Sequence, residues 1–203
     1  MKIINDDDKT KPQLISELSK LRRRVDELEK NLDDYKRIEN ELRTLSFTDE
    51  LTGLYNRRGF FTLAEQQLKM ATRLKRGVLI LYADIDNLKT INDAFGHQEG
   101  NTAIIDTANI LKSTYRDSDI IARIGGDEFV VFPVGTTEDN VDKIISRLQN
   151  NIDIHNAKRA SSHRLTLSFG ITKCAPDTRT SLESLLVRAD KLMYRHKKLK
   201  KKD

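Results

Sequence analysis

Carboxylates at two strand ends carry the first chemical signal in this sequence. Asp127 and Glu128 follow the glycine pair Gly125 and Gly126 between two apolar, β-branched runs, Asp119–Ile124 and Phe129–Val134. That pattern predicts a tight β-hairpin whose glycines permit positive φ and let a ligand approach the backbone, while the acidic pair projects from the turn. A Gly-Gly-Asp string alone reads more readily as a solvated hairpin tip. A second acidic cluster upstream, Asp84-Ile85-Asp86, changes the balance because it ends another apolar run, Val78–Ala83. Hard divalent cations take oxygen ligands, and carboxylates on two strand ends are what a pair of such ions needs.

The elements that must position these acids follow from periodicity. Gly59–Arg76 has helical spacing, and Val78–Ala83 is a strand buried on both faces. Asn87–Phe95 is polar and turn-like, Gly96–Gly100 is a further loop, and Thr102–Tyr115 reads as a helix. After the hairpin come a helix from Glu138 to His155, a strand from Leu165 to Thr172 and a last helix from Ser181 to Lys198. Strands alternating with helices, plus one hairpin, indicate an α/β fold: a mixed central sheet with an antiparallel hairpin, covered by helices. Asp49–Arg58 (DELTGLYNRR) reads as a structural hinge, with turn chemistry at Thr52-Gly53 and Asn56 as a helix cap.

Ahead of that hinge lies a different pattern. Residues 1–11 read as disordered, and Pro12 suits a first helical turn. Leu14, Leu18, Leu21, Val25, Leu28, Leu32 and Tyr35 then recur at alternating spacings of four and three, a heptad seam. With Leu18 and Val25 at position a, Glu17 faces Arg22 and Arg24 faces Glu29 of a parallel partner, both attractive. The seam drifts at Glu39 and Ile38 before Leu42 and Leu45. Residues 12–46 are therefore expected to be a dimerising coiled coil, 47–198 the globular domain and 199–203 a basic tail. The chain has 203 residues and a net charge of +5, but its basic residues alternate with acidic ones along the first helix, which argues against a nucleic-acid partner. The single cysteine, Cys174, precludes an intrachain disulfide. With neither a membrane-length apolar run nor a signal-peptide pattern, a cytoplasmic protein without direct membrane insertion is expected.

Four blocks together, Asp49–Arg58, Asp84–Asp93 (DIDNLKTIND), Gly96–Gly100 (GHQEG) and Arg123–Phe129 (RIGGDEF), resemble the GGDEF family of diguanylate cyclases. The resemblance implies a fold similar to the palm of nucleotidyl cyclases and condensation of two GTP into cyclic di-GMP and two pyrophosphates. It implies two Mg²⁺ ions per GTP, with Mn²⁺ as an alternative, held by Asp84, the Ile85 carbonyl, Asp127 and Glu128. Asp127 or Glu128 would accept a proton, and Lys89 would stabilise charge on the phosphates. Asn92 and Asn101 would meet the base, Gly125 and Gly126 would let the backbone pass close to the nucleotide, and Arg123, Lys197 and Lys201 belong to the implied substrate site. Asp86 and Asp93 would play supporting parts. Because each domain of the family holds one GTP, a homodimer through the coil is implied. Arg116 and Asp119 match an Arg-x-x-Asp inhibitory site for the cyclic di-GMP product, with Arg147 as a further contact.

Two departures stand out. Asn101 replaces the aspartate usual after Gly-His-x-x-Gly, and an amide cannot accept both of guanine's donors as a carboxylate can. That leaves open relaxed base selection, with ATP or a mixed cyclic product, and a degenerate nucleotide or cyclic di-GMP binding module. The last helix, where the family commonly has Ala-Lys-x-x-Gly-Arg-Asn, instead has His196 before Lys197, with Lys200 and Lys201 at the glycine and arginine places.

Overall fold

The computed structural model describes residues 10–45, 47–135, 141–158, 164–175 and 180–200, and the chain divides into two compact units, Met1–Ser46 and Phe47–Asp203. Among the described residues the first contains one helix, α1 (Lys11–Leu45). Thr10 starts it: the Thr10 N–H and hydroxyl donate to Gln13 Oε1 at 2.8 and 2.9 Å, and the Thr10 carbonyl accepts from Leu14 N–H. The Gln13 side chain thus satisfies the Thr10 N–H, one half of the Thr-x-x-Gln capping arrangement. The seam residues from Leu14 to Tyr35 are all exposed, and Arg24 pairs with Glu27 of the same helix at 2.7 Å. The segment Asn5–Lys9 lies outside the described residues.

Among the described residues the second unit is built on four strands, β1 (Val78–Ile85), β2 (Ile120–Arg123), β3 (Glu128–Phe132) and β4 (Leu167–Cys174), in the order β2-β3-β1-β4. Their ladders are all antiparallel, and among the described residues the parallel pairing is a bridge between Tyr55 and Ala122 at the margin of the sheet. The α/β architecture is as expected, with the mixed character confined to that bridge. One face buries Leu81, Ala83, Ile85, Phe129 and Val131 under α3 (Leu88–Phe95), α4 (His97–Thr114) and α5 (Val141–Lys158). The other buries Val78, Ile80, Tyr82, Val130 and Phe132 under α2 (Arg57–Arg73) and α6 (Leu182–Lys200). This is the period-two alternation of strands sandwiched between helices. A Cβ at Gly170 would lie 2.3 Å from both Ala189 O and Met193 N, so this glycine lets α6 lie directly on β4.

Two expected turns are helical. Leu88–Phe95 forms α3 because Leu88 and Ile91, three apart, both enter the core. α4 begins at His97, inside the expected loop, with Gly96 at φ 86° carrying the bend between the helices. The hairpin turn also differs: it spans Ile124–Asp127, closed by Ile124 N–H donating to the Glu128 carbonyl at 3.0 Å. The described glycines with positive φ are Gly53, Gly96 and Gly135, so neither hairpin glycine is needed for the positive φ expected of it. Gly125 instead makes room for a carboxylate, since a Cβ there would sit 2.3 Å from Glu128 Oε2 and would have to displace it.

Candidate active site

Antiparallel register brings the two acidic clusters together. Asp84 and Glu128 are direct partners across the β1–β3 ladder, on the face that also carries Tyr82 and Val130. Ile85 N–H donates to the Asp127 carbonyl at 3.1 Å, which fixes the end of β1 to the hairpin turn. Phe129 points to the opposite face and is fully buried, an anchor worth on the order of 1.5–3 kcal/mol. The Glu128 carboxylate folds back over Gly125, and burial first and then that nearby charge push the Tyr82 hydroxyl up, so it stays protonated.

Asp84 is only 8% exposed and forms an ion pair with Lys197 of α6. Burial pushes its carboxyl above the usual carboxylate range; the Lys197 hydrogen bond opposes this, while the charges of Asp127 and Asp86 add to it. Burial works against the Lys197 ammonium too, but Asp84, Asp127 and Asp86 outweigh it and raise its pKa. Among the described residues, no three His, Cys, Asp or Glu side chains form a metal cage. An open carboxylate edge, with a lysine ammonium standing in as its cation, nonetheless suits Mg²⁺, which takes one or two carboxylates and completes its shell with water and phosphate. The donor set fits a hard divalent ion.

Around this centre, α3 carries Lys89, exposed, and Asn92, half-buried. A Cβ at Gly100 would come within 1.9 Å of Asn92 Oδ1, so the glycine lets the Asn92 amide lie against the first turn of α4. Asn101, the next residue, is exposed. Gly126 is open, and a Cβ added there would meet nothing within 4 Å. Arg123, expected in the substrate site, is turned to the protein. It donates to the Gly126 carbonyl through Nη2 at 2.8 Å and to both Asp49 oxygens through Nη1 at 3.3 Å. The hinge segment thereby braces the hairpin. Lys201 lies outside the described residues.

Residues 46–203 match the family profile described as diguanylate cyclase, GGDEF domain. The chain belongs to the GGDEF family. It is 34% identical over 158 residues to the diguanylate cyclase DgcP of Escherichia coli K12, an alignment covering 77% of this chain and 46% of that protein. It therefore spans about half the length of that relative. The GGDEF domain of DgcB from Caulobacter crescentus, solved in complex with c-di-GMP, superposes with a TM-score of 0.68 at 27% identity, over 75% of this chain and 88% of that one. The coiled coil and GGDEF domain of the same protein superposes with a TM-score of 0.68 at 25% identity, over 91% and 94%.

In this GGDEF domain the Arg-x-x-Asp pair sits at a separate corner. Asp119 accepts from Arg116 N–H through Oδ2 and from Val134 N–H through Oδ1, both at 2.9 Å. The side chains of Arg116 and Arg147 are exposed. Both Arg147 and Asp119 act on the Tyr115 hydroxyl, which burial pushes up, Arg147 opposing and Asp119 adding. Sequence reasoning missed three residues that touch the centre. Tyr82 had a usable signal, since two residues before Asp84 on a strand means the same face. Ser168, whose hydroxyl donates to Asp86 Oδ1 at 2.6 Å, had none beyond its chemistry, and Lys200, which reaches Asp86 Oδ2 at 3.2 Å, showed only as a departure from the family's last-helix pattern.

Proposed function

We propose that the chain is a diguanylate cyclase that condenses two GTP into cyclic di-GMP and releases two pyrophosphates. The observation that carries this reading is the pairing of Asp84 with Glu128 beside Asp127, with the Lys197 ammonium on Asp84. In each half-reaction the 3′ oxygen of one GTP bonds to the α-phosphorus of the other, and the bond from that phosphorus to the bridging oxygen breaks. The hydroxyl proton passes to a carboxylate, Asp127 or Glu128. Two Mg²⁺ ions, with Mn²⁺ as the alternative, bound by Asp84, the Ile85 carbonyl, Asp127 and Glu128, would neutralise triphosphate charge and stabilise the incoming alkoxide. Lys89 and Lys197 meet phosphate charge, with Lys201 as a second cation beyond α6. Asn92 and Asn101 meet the base, and Gly125 and Gly126 keep the backbone side of the nucleotide clear. Arg123 acts by holding the hairpin, and Asp86 by holding its neighbours.

Each domain supplies half of the reacting pair, so two chains must face each other. The exposed seam of α1 supports a parallel homodimer through residues 12–46, which raises the effective concentration of the second half-site for domain 47–198. Arg116, Asp119 and Arg147 form a product-inhibition corner. We place the protein in the cytoplasm; among the described residues, no helix is long and apolar enough to cross a membrane.

Incubating the purified chain with GTP and Mg²⁺ and separating the products by chromatography should yield cyclic di-GMP with two pyrophosphates. Intact GTP after incubation with either Mg²⁺ or Mn²⁺ would remove this reading and leave a nucleotide-binding module. A second reading, relaxed base selection, is favoured by Asn101, whose amide complements adenine better than guanine. ATP competing with GTP in the same assay, and losing that ability in Asn101→Asp, is its signature.

A further inference from the structure

Three side chains pin the end of α6 to the site, and two of them depart from the family pattern. Lys197 pairs with Asp84. One residue earlier, His196 Nδ1 lies 3.1 Å from the Phe169 nitrogen and 3.2 Å from its carbonyl oxygen, and the two rings meet edge-on at 4.9 Å. One turn later, Lys200 Nζ donates to the Leu167 carbonyl at 2.6 Å and to Asp86 Oδ2 at 3.2 Å. Asp86 is itself fixed: Ser168 donates to its other oxygen at 2.6 Å, and the Asp86 N–H donates to the Thr166 carbonyl at 2.9 Å. Alanine and glycine, common at the positions of His196 and Lys200 in the family, can make neither set of contacts.

We propose that Lys200 is a positioning residue that clamps the last turn of α6 to β4 and Asp86, and thereby holds Lys197 beside the triphosphate site. The inference rests on the GTP reading above. A lysine side chain loses several rotatable bonds when it is fixed, and the final turn of a helix frays readily. Lys197 stands only three residues before the last described residue of α6, so unrestrained fraying would reach it. Lys200 opposes that fraying with one charge-assisted bond to a held carboxylate and one to a strand carbonyl. Glycine in the same place would weaken the turn and supply neither bond. The clamp also places a cation in the last turn, where the helix dipole favours it.

The test uses the full chain and Lys200→Met, which keeps the aliphatic stem and removes the ammonium. Two measurements are made: affinity for a GTP analogue with a methylene between the α and β phosphorus atoms, in Mg²⁺, and hydrogen exchange of the α6 amides. The variant should bind the analogue about five- to tenfold more weakly, with kcat for GTP within about twofold of wild type, the pattern of lost uniform binding. Its last α6 amides should exchange faster, and Lys200→Arg should restore both properties. In a Lys197→Ala background, Lys200→Met should add less than about twofold, because its effect passes through Lys197. Unchanged analogue affinity, unchanged exchange, or a full additional loss in the Lys197→Ala background would each overturn the clamp. If wild type neither binds the analogue nor turns over GTP, the cyclase reading fails while the exchange comparison still decides whether Lys200 holds the helix end.

Discussion

Asp84 and Asp119 are aspartates at strand ends, the first inside β1 and the second just before β2, and their carboxylates are in opposite conditions. Asp119 gives one oxygen to Arg116 N–H and the other to Val134 N–H, and its own N–H donates to the Arg116 carbonyl at 2.9 Å. It is a joint that ties the start of β2 to the end of β3. Asp84 is buried among Asp127, Asp86 and Glu128, with the flexible Lys197 side chain as its ion-pair partner. Main-chain donors saturate the first carboxylate, whereas folding leaves the second incompletely neutralised. Such imperfectly compensated charge is where chemistry is expected, because a cation or substrate can still supply what the fold withholds.

The largest effect that could break this contrast belongs to Asp84→Asn. Losing an oxygen ligand for metal at the reacting phosphates should lower kcat by at least ~10³-fold, the equivalent of several kcal/mol of transition-state stabilisation. The same change should raise the unfolding temperature of the metal-free protein at neutral pH. A carboxyl raised above its unfolded value contributes stability that is complete below the unfolded pKa and lost as pH rises through the folded value. Once pH has risen through that folded value the contribution is gone, and the neutral amide avoids the penalty of the buried charge. A variant that is both inactive and less stable than wild type would make Asp84 an ordinary structural acid.

Asp119→Ala should show the reverse profile. Two backbone N–H groups lose their acceptor, which should cost about 1–3 kcal/mol in denaturant unfolding, with kcat for GTP retained. Arg116→Ala removes an exposed side chain and should instead leave stability unchanged while relieving inhibition by added cyclic di-GMP. If Asp119→Ala relieved inhibition with no loss of stability, Asp119 would be a ligand group first and a joint second.

How much of this could be read from the chain depends on the distance over which each contact acts. The α/β class, the strand ends and the hairpin acids follow from local alternation, and Tyr82 could have been added by the same rule. α3 was overlooked although Leu88, Ile91 and Phe95 stand at helical spacing, because the segment is only eight residues long and its other positions are mostly polar. The crowding at Gly125 was hidden because it comes from where the Glu128 carboxylate folds rather than from turn conformation. The brace from Arg123 to Asp49 and the clamp from Lys200 to Asp86 join residues 74 and 114 apart, and no pattern along the sequence announces either. Lys200 and His196 were visible only as departures from a family pattern, and packing gave those departures a meaning.

His196 offers the smallest effect and a second view of the same contrast. Burial, and then the Lys200 charge, hold its pKa below the ordinary value, against the Phe169 backbone bond and the charge of Asp86. The fold therefore favours the neutral ring. Its contribution is present above the unfolded histidine pKa, about 6.5, and is lost as pH falls through the lower folded value. In His196→Asn, the side-chain oxygen can still accept from the Phe169 N–H and does not titrate near neutrality. Denaturant midpoints for the two proteins should thus differ in favour of wild type at pH 8, and the difference should shrink at pH 5.5. A difference that grew on acidification would mean that an imidazolium donates to the Phe169 carbonyl in the folded state. A third cation would then stand in the same end of α6 as Lys197 and Lys200, and the acidic edge would be less starved of positive charge than its burial suggests.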